Sequence, residues 1–297
     1  MTHSQRKLIS DDQTIVVLDT SPVRNIGHDG VPAWVATFAD MAKDGYSFSL
    51  ADGAVAELLT AHARSSITDH ELATIVSAAE TYLNPAVPVL LGKIDLMRMI
   101  GESSAPAGWE TEALKLSRGA WQVLKAASST PPEARISGED ELQKDRDDWI
   151  GAFKTFDAAH AEWLSKCSDC EAEDLLNEYE HPALDAALDH LAAGSQTSPP
   201  TMAERQDLQM RYIWRQWVRS RKEKNAYDPS SSKKVNDGID LDLYRYLLLP
   251  ALVVTDDGGF HQRIADIRSP QRAWFWRPQA LADAWTRGER PRPAWGR

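Results

Sequence analysis

Carboxylates that close short apolar runs are the side chains best placed to do chemistry. Asp19 ends the run Ile15-Val16-Val17-Leu18. Asp52 follows Tyr46–Ala51, and Glu57 lies a turn or so further on. Asp256 and Asp257 follow Leu252-Val253-Val254-Thr255, and Asp240 and Asp242 stand near the start of a helical segment. Carboxylates gathered at one place repel one another and lose hydration. A hard divalent cation such as Mg2+ or Mn2+ relieves both costs, because it takes oxygen ligands and needs few carboxylates besides substrate phosphate oxygens. Such an ion activates water and steadies a leaving oxygen, which suits phosphodiester hydrolysis. Any one of these acids also has a simpler use as a helix cap or turn former. Their recurrence at successive strand ends is what points to a shared site.

Those acids need elements to carry them. Gln13 to Asp19 is a β-branched apolar run of the kind buried on both faces of a parallel sheet. Residues 32–43 read as an amphipathic helix led by Pro32, Tyr46–Leu50 as a second strand, and about 53–63 as the next helix. The alternation returns near the end. There Asp240–Leu249 fits a helix and Ala251–Thr255 a strand, with a helix following to about Ile267. Ala273–Trp276 fits a last strand and 278–286 a last helix. The pattern predicts an α/β fold with a central parallel sheet, in which ligands bind outside the carboxyl ends of the strands.

From about 107 to 224 the periodicity is helical, with proline-bearing breaks at Ser128–Pro132 and Ser195–Pro200. Residues 139–190 hold 16 acidic and four basic side chains. The predicted organisation is a core in two parts (1–100 and 236–286), a helical insertion (101–235), and a Pro/Arg/Gly-rich tail (287–297) expected to fray.

Composition excludes several classes. With 297 residues, 42% hydrophobic and 26% charged, the chain is neither fibrous nor wholly disordered. The run Tyr246–Val254 is too short to span a bilayer and contains Pro250, and residues 1–13 lack the apolar stretch of a secretory signal. Two cysteines build no disulfide framework. The expectation is a cytoplasmic protein with no membrane partner.

Net charge is −11, yet residues 205–297 carry 18 basic and 11 acidic side chains, which leaves room for a local anionic partner. Arg211, Arg215, Arg219, Arg221, Lys222 and Lys224 share a predicted helix with Tyr212, Trp214 and Trp217. One reading places Arg211, Arg215, Arg219 and Lys222 on nucleic-acid phosphates with aromatics under bases. The other is an amphipathic helix that buries its tryptophans and solvates its charges. Cys167-Ser168-Asp169-Cys170, near His160, His181 and His190, has the ligand types of a zinc site but lies in a helical acidic stretch, where two half-buried thiols account for it as well.

Four segments together resemble the PIN-domain family. Val16-Val17-Leu18-Asp19-Thr20-Ser21 is similar to its opening strand, first acid and following hydroxyls. Ser49–Leu59 resembles the second motif, with Glu57 in the helix after the strand. Asn236–Tyr244 resembles the third, where Asp237, Asp240 and Asp242 compete for the acidic position. Leu252–Phe260 resembles the fourth, whose pattern matches Asp257 rather than Asp256. Trp274–Pro278 looks like the closing strand and proline-led helix. The stretch from Glu57 to Asp240 is far longer than in compact members.

The resemblance implies a three-layer α/β/α fold and Mg2+- or Mn2+-dependent ribonuclease activity. The metal site would be Asp19, Glu57, Asp240 (or Asp242) and Asp257, supported by Thr20, Ser21, Asp52, Thr255 and Asp256. RNA is then the substrate. A protein partner such as an antitoxin is the further expectation. The alternative is a catalytically silent PIN-like scaffold that binds a partner through its acidic insertion. Other templates fit poorly: a haloacid-dehalogenase-type phosphatase wants an aspartate where Ser21 stands, and neither a phosphate-loop G-x-x-x-x-G-K-[ST] nor a Gly-x-Ser-x-Gly elbow occurs.

Overall fold

The computed structural model describes residues 7–166, 201–221, 227–231, 234 and 236–293. Five parallel strands form one sheet in the order β3-β2-β1-β4-β5. They are β1 (Thr14–Leu18), β2 (Tyr46–Ala51), β3 (Val89–Leu90), β4 (Ala251–Val254) and β5 (Phe275–Trp276). β1 is central and wholly buried, as its unbroken apolar run predicts. Ile15, Val16, Val17 and Leu18 have no exposed surface. Burial of such side chains stabilises by roughly 1.5–3 kcal/mol each. The chain builds outward from β1 to β3, then crosses to β4 on the other side. The strand order therefore reverses between β1 and β4, where Leu18 is in register with Val254. A crevice opens at the carboxyl edge of such a reversal.

The early helices are α1 (Thr20–Asp29), α2 (Trp34–Lys43), α3 (Asp52–Ala63), α4 (Asp69–Ala79) and α5 (Ile94–Met99). The middle stretch supplies α6 (Trp109–Ala127), α7 (Glu139–Leu164), α8 (Met202–Arg205) and α9 (Asp207–Arg221), and the last part α10 (Asp237–Arg245), α11 (Gly258–Ile264) and α12 (Pro278–Thr286). α2 packs with α12, while α1, α3, α4 and α6 pack together. This α/β arrangement with an all-parallel sheet is compatible with a three-layer plan. Among the described residues no helix is long and apolar enough to cross a membrane.

The middle helices are not a detached body. Trp121 and Leu124 of α6, and Trp149 and Phe153 of α7, belong to the same buried cluster as the sheet. Two glycines let α7 approach the core. A Cβ on Gly138 would lie 2.5 Å from the Cα of Ala56 in α3, and one on Gly238 would lie 2.7 Å from the carbonyl oxygen of Asp145 in α7. α7 is thereby wedged between the helices that carry Glu57 and Asp240.

One expectation needs correction and two elements escape the sequence pattern. α1 occupies residues 20–29, for which the pattern predicts no element. Pro22 is tolerated there because it falls in the first turn, where backbone N–H groups lack intrahelical partners. The two-residue β3 was missed because so short a run has no readable period. The tail is not frayed over its described part: Tyr46 Oη donates to the carbonyl of Pro291 at 3.0 Å, and Arg290 pairs with Asp44 at 2.9 Å and covers the Trp285 ring.

The wedge predicts opposite outcomes for two glycines near or in α7. Gly138→Ala must push backbone apart and is expected to cost about 1–3 kcal/mol in urea unfolding. Gly151→Ala, with open space around its Cβ position, is expected to gain about 0.5–1 kcal/mol in the same measurement.

Candidate active site

The carboxyl edge of the sheet, at the β1/β4 reversal, opens into a cleft of about 880 Å³. Asp19, Glu57, Asp240 and Asp257 all line it, as do Thr20, Ser21 and Asp256. These acids arrive on four separate elements: the end of β1, α3, α10 and the start of α11.

Asp19 stands at the N-cap position of α1, yet its side chain makes no capping hydrogen bond. Instead its Oδ2 accepts from Ser21 Oγ at 2.8 Å and from Thr255 Oγ1 at 2.7 Å. The two hydroxyls in turn accept from the backbone N–H groups of Asp256 (2.8 Å) and Asp257 (3.2 Å). Each hydroxyl is thus polarised in one direction, toward Asp19. Asp257 does cap its helix, its Oδ1 accepting from the N–H of Gly259 at 2.6 Å and of Phe260 at 3.1 Å. Its Oδ2 lies 3.7 Å from Arg263 Nη2, which also donates to Asp240 Oδ2. Glu57 accepts from the Thr20 hydroxyl.

Burial sets the electrostatics. It pushes the Glu57 carboxyl up to about 7, against the Thr20 hydrogen bond and with help from the Asp19 charge. It holds Asp240 well above the ordinary carboxylate range despite Arg263, with Asp19, Asp237 and Asp257 adding to the effect.

Asp242 and Asp52 leave this group. On a helix, positions two apart point about 200° from each other, so Asp240 faces the cleft and Asp242 the opposite way. Asp242 is buried and pairs with Arg245 at 2.5 Å. Burial raises its pKa, opposed by Arg245 and reinforced by the nearby Asp145 and Asp52 charges. Asp145 pairs with Lys93 at 2.7 Å. Asp52 accepts from the N–H groups of Gly53 (2.8 Å) and Gly92 (2.9 Å) and from Tyr246 Oη (2.7 Å), so it is a structural cap. The competing Asp237 also lines the cleft, but it is buried and its Oδ2 accepts from Tyr227 Oη at 2.5 Å. Asp256 is tied off by Asn25 (3.0 Å) and Arg277 (3.2 Å).

The basic helix also departs from expectation. Arg211 is buried and pairs with Asp207 at 2.8 Å, so its side chain does not reach a nucleic acid at the surface. Trp217 is buried, as the amphipathic reading requires. Arg215 pairs with Asp266 and Arg219 donates to Gln216 at 3.1 Å. Both line a shallow groove with Lys234 and Arg263, and Arg263 is common to this groove and the acidic cleft. Lys222, Lys224, Cys167, Cys170, His181 and His190 lie outside the described residues. His160 packs against the Trp217 ring at 5.1 Å.

Sequence reasoning missed Arg24, Arg64, Glu139, Arg146 and Arg263, all of which line the cleft. Recognising α1 would have supplied Arg24, which falls one turn after Ser21; the others depend on tertiary packing.

The donor chemistry, oxygen only and acidic, fits a hard divalent ion. As posed, however, no group of three or more His, Cys, Asp or Glu side chains among the described residues closes on one ion position. The cation between Asp240 and Asp257 is the Arg263 guanidinium. Comparison with protein-family models, curated proteins and solved structures finds no match.

The raised Glu57 pKa has a defined consequence in metal-free protein. Below its ordinary value of 4.5 the carboxyl is protonated in both folded and unfolded states. Between 4.5 and about 7 only the folded state keeps the proton, so stability falls as pH rises through that window and levels off above it. Glu57→Gln is expected to remove this loss, and its stability relative to wild type should climb by about 1–3 kcal/mol across the window in denaturant titrations.

Proposed function

We propose that this protein is a metal-dependent nuclease with a PIN-like α/β/α core, hydrolysing RNA phosphodiester bonds with Mg2+ or Mn2+. The observation that carries this reading is the meeting of Asp19, Glu57, Asp240 and Asp257 in one cleft at the strand-order reversal. Asp19, Asp240, Asp257 and Glu57 would hold the ion, which when bound supplies Lewis-acid activation of water and of the phosphoryl oxygen. Ser21 and Thr255 fix the orientation of Asp19 from two sides. Arg263, which lies against Asp240 and Asp257, would compete with the ion for these two carboxylates. The adjoining groove, with Arg215, Arg219 and Lys234 around it, offers the substrate backbone a positively charged exit path.

Incubation of the protein with unstructured single-stranded RNA and Mn2+ is expected to give cleavage, lowered on the order of 100-fold or more in Asp19→Asn. Equal cleavage by both proteins removes the proposal.

A second reading is favoured by the same arginine. Because Arg263 already bridges Asp240 and Asp257, the acids are neutralised in part without an ion, as suits a catalytically silent PIN-like scaffold. Calorimetric titration with Mn2+ separates the two. If the cleft holds metal, Arg263→Gln removes a competing cation and is expected to bind Mn2+ about tenfold more tightly than wild type, equivalent to ~1.4 kcal/mol. Absence of Mn2+ binding in both proteins selects the scaffold.

A further inference from the structure

The wall of the cleft formed by α1, α3 and the start of α7 carries guanidinium groups. α1 begins directly after Asp19, and helical spacing sets Ser21, Arg24, Asn25 and His28 along its cleft face. Arg24 is half-buried there. Among the described residues it makes no hydrogen bond and no ion pair, although its charge is felt by Glu57. Beside it, Arg64 and Arg146 share one carboxylate: Arg64 Nη2 lies 2.9 Å and Arg146 Nη1 2.6 Å from the two oxygens of Glu139. Two cations on one anion leave a positive remainder, and Arg24 adds a second.

A half-buried guanidinium has lost part of its hydration and offers five N–H donors in a planar fork. Serving Glu57 does not account for Arg24, because no ion pair forms between them. The fork matches the oxygens of a phosphate, which it takes in two parallel hydrogen bonds. The cleft is therefore bipolar, with acids at the sheet edge and guanidinium groups on the α1–α3–α7 wall. A phosphodiester needs both at once: an ion site for the reacting oxygens and cationic donors for the backbone.

We propose that Arg24, backed by the Arg64–Glu139–Arg146 triad, grips a backbone phosphate of single-stranded RNA next to the bond held over the acids. This rests on the nuclease reading, and adds a substrate-binding wall distinct from the Arg215–Arg219 groove. The insertion helix α7 is then part of the substrate site, through Glu139 and Arg146.

The test is fluorescence anisotropy of a labelled single-stranded RNA with the full-length protein in EDTA, where binding is read without cleavage, repeated over a range of salt. Arg24→Gln is expected to weaken binding about tenfold and to lower the slope of log affinity against log salt by about one. Arg24→Lys keeps the charge and is expected to retain the wild-type slope. A wild-type affinity and slope in Arg24→Gln would overturn the wall while leaving the nuclease proposal standing, provided the wild type binds and cleaves RNA. A slope lost equally in Arg24→Lys would also overturn it, since the loss would not follow charge. A wild type that neither binds nor cleaves RNA sinks both.

Discussion

Thr255 and Asp19 stand 236 positions apart in the chain, and a 2.7 Å hydrogen bond joins them. That bond, with the matching one from Ser21, is the constraint on which the cleft depends. It sits where β1 pairs with β4, so the same backbone register that completes the sheet sets the distance between the first and last motifs. Because the two hydroxyls are themselves held by the N–H groups of Asp256 and Asp257, moving the β4 end moves the Asp19 carboxylate with it. The polar network and the strand pairing are one device.

α10 shows how a single helix serves two purposes. Its Asp240 side looks into the cleft, and its Asp242 side joins Asp52, Asp145, Lys93 and Arg245 in a buried ionic cluster. That cluster fastens α7 to the core near the point where Gly238 admits it. The small apolar contact of Ala56, Leu142 and Ile239 joins α3, α7 and α10, and Leu142 and Ile239 themselves line the cleft. Asp240 and Asp242 thus meet the same physical balance on opposite faces of one helix: burial and neighbouring carboxylates raise each, and a single arginine, Arg263 on the cleft side and Arg245 on the other, opposes it.

Much of the α/β core was legible because its signals are local. The short apolar runs of β1, β2 and β4 are those of strands buried on both faces, and the acids that close them follow directly in the chain. α1 was hidden by Pro22 and the hydroxyl run before it, residue types that disfavour a helix interior. The choice between Asp240 and Asp242 could not be made from spacing alone, because it depends on how α10 is rotated against α7. Arg211 illustrates the same limit. A basic helix reads as solvent-facing, yet packing of Tyr212 and Trp217 turns Arg211 inward toward Asp207. Arg24, Arg146 and Arg263 gain meaning only when three distant segments enclose one volume.

The docked tail bears on how the molecule can be handled. Tyr46 begins β2, so the bond from its phenol to Pro291, with the Arg290–Asp44 pair, places the last described residues at the amino edge of the sheet. The cleft lies at the other edge, about one strand length away, roughly 17 Å. A dye attached at Arg292, which is exposed, would therefore sit behind the sheet and leave the mouth of the cleft facing solution.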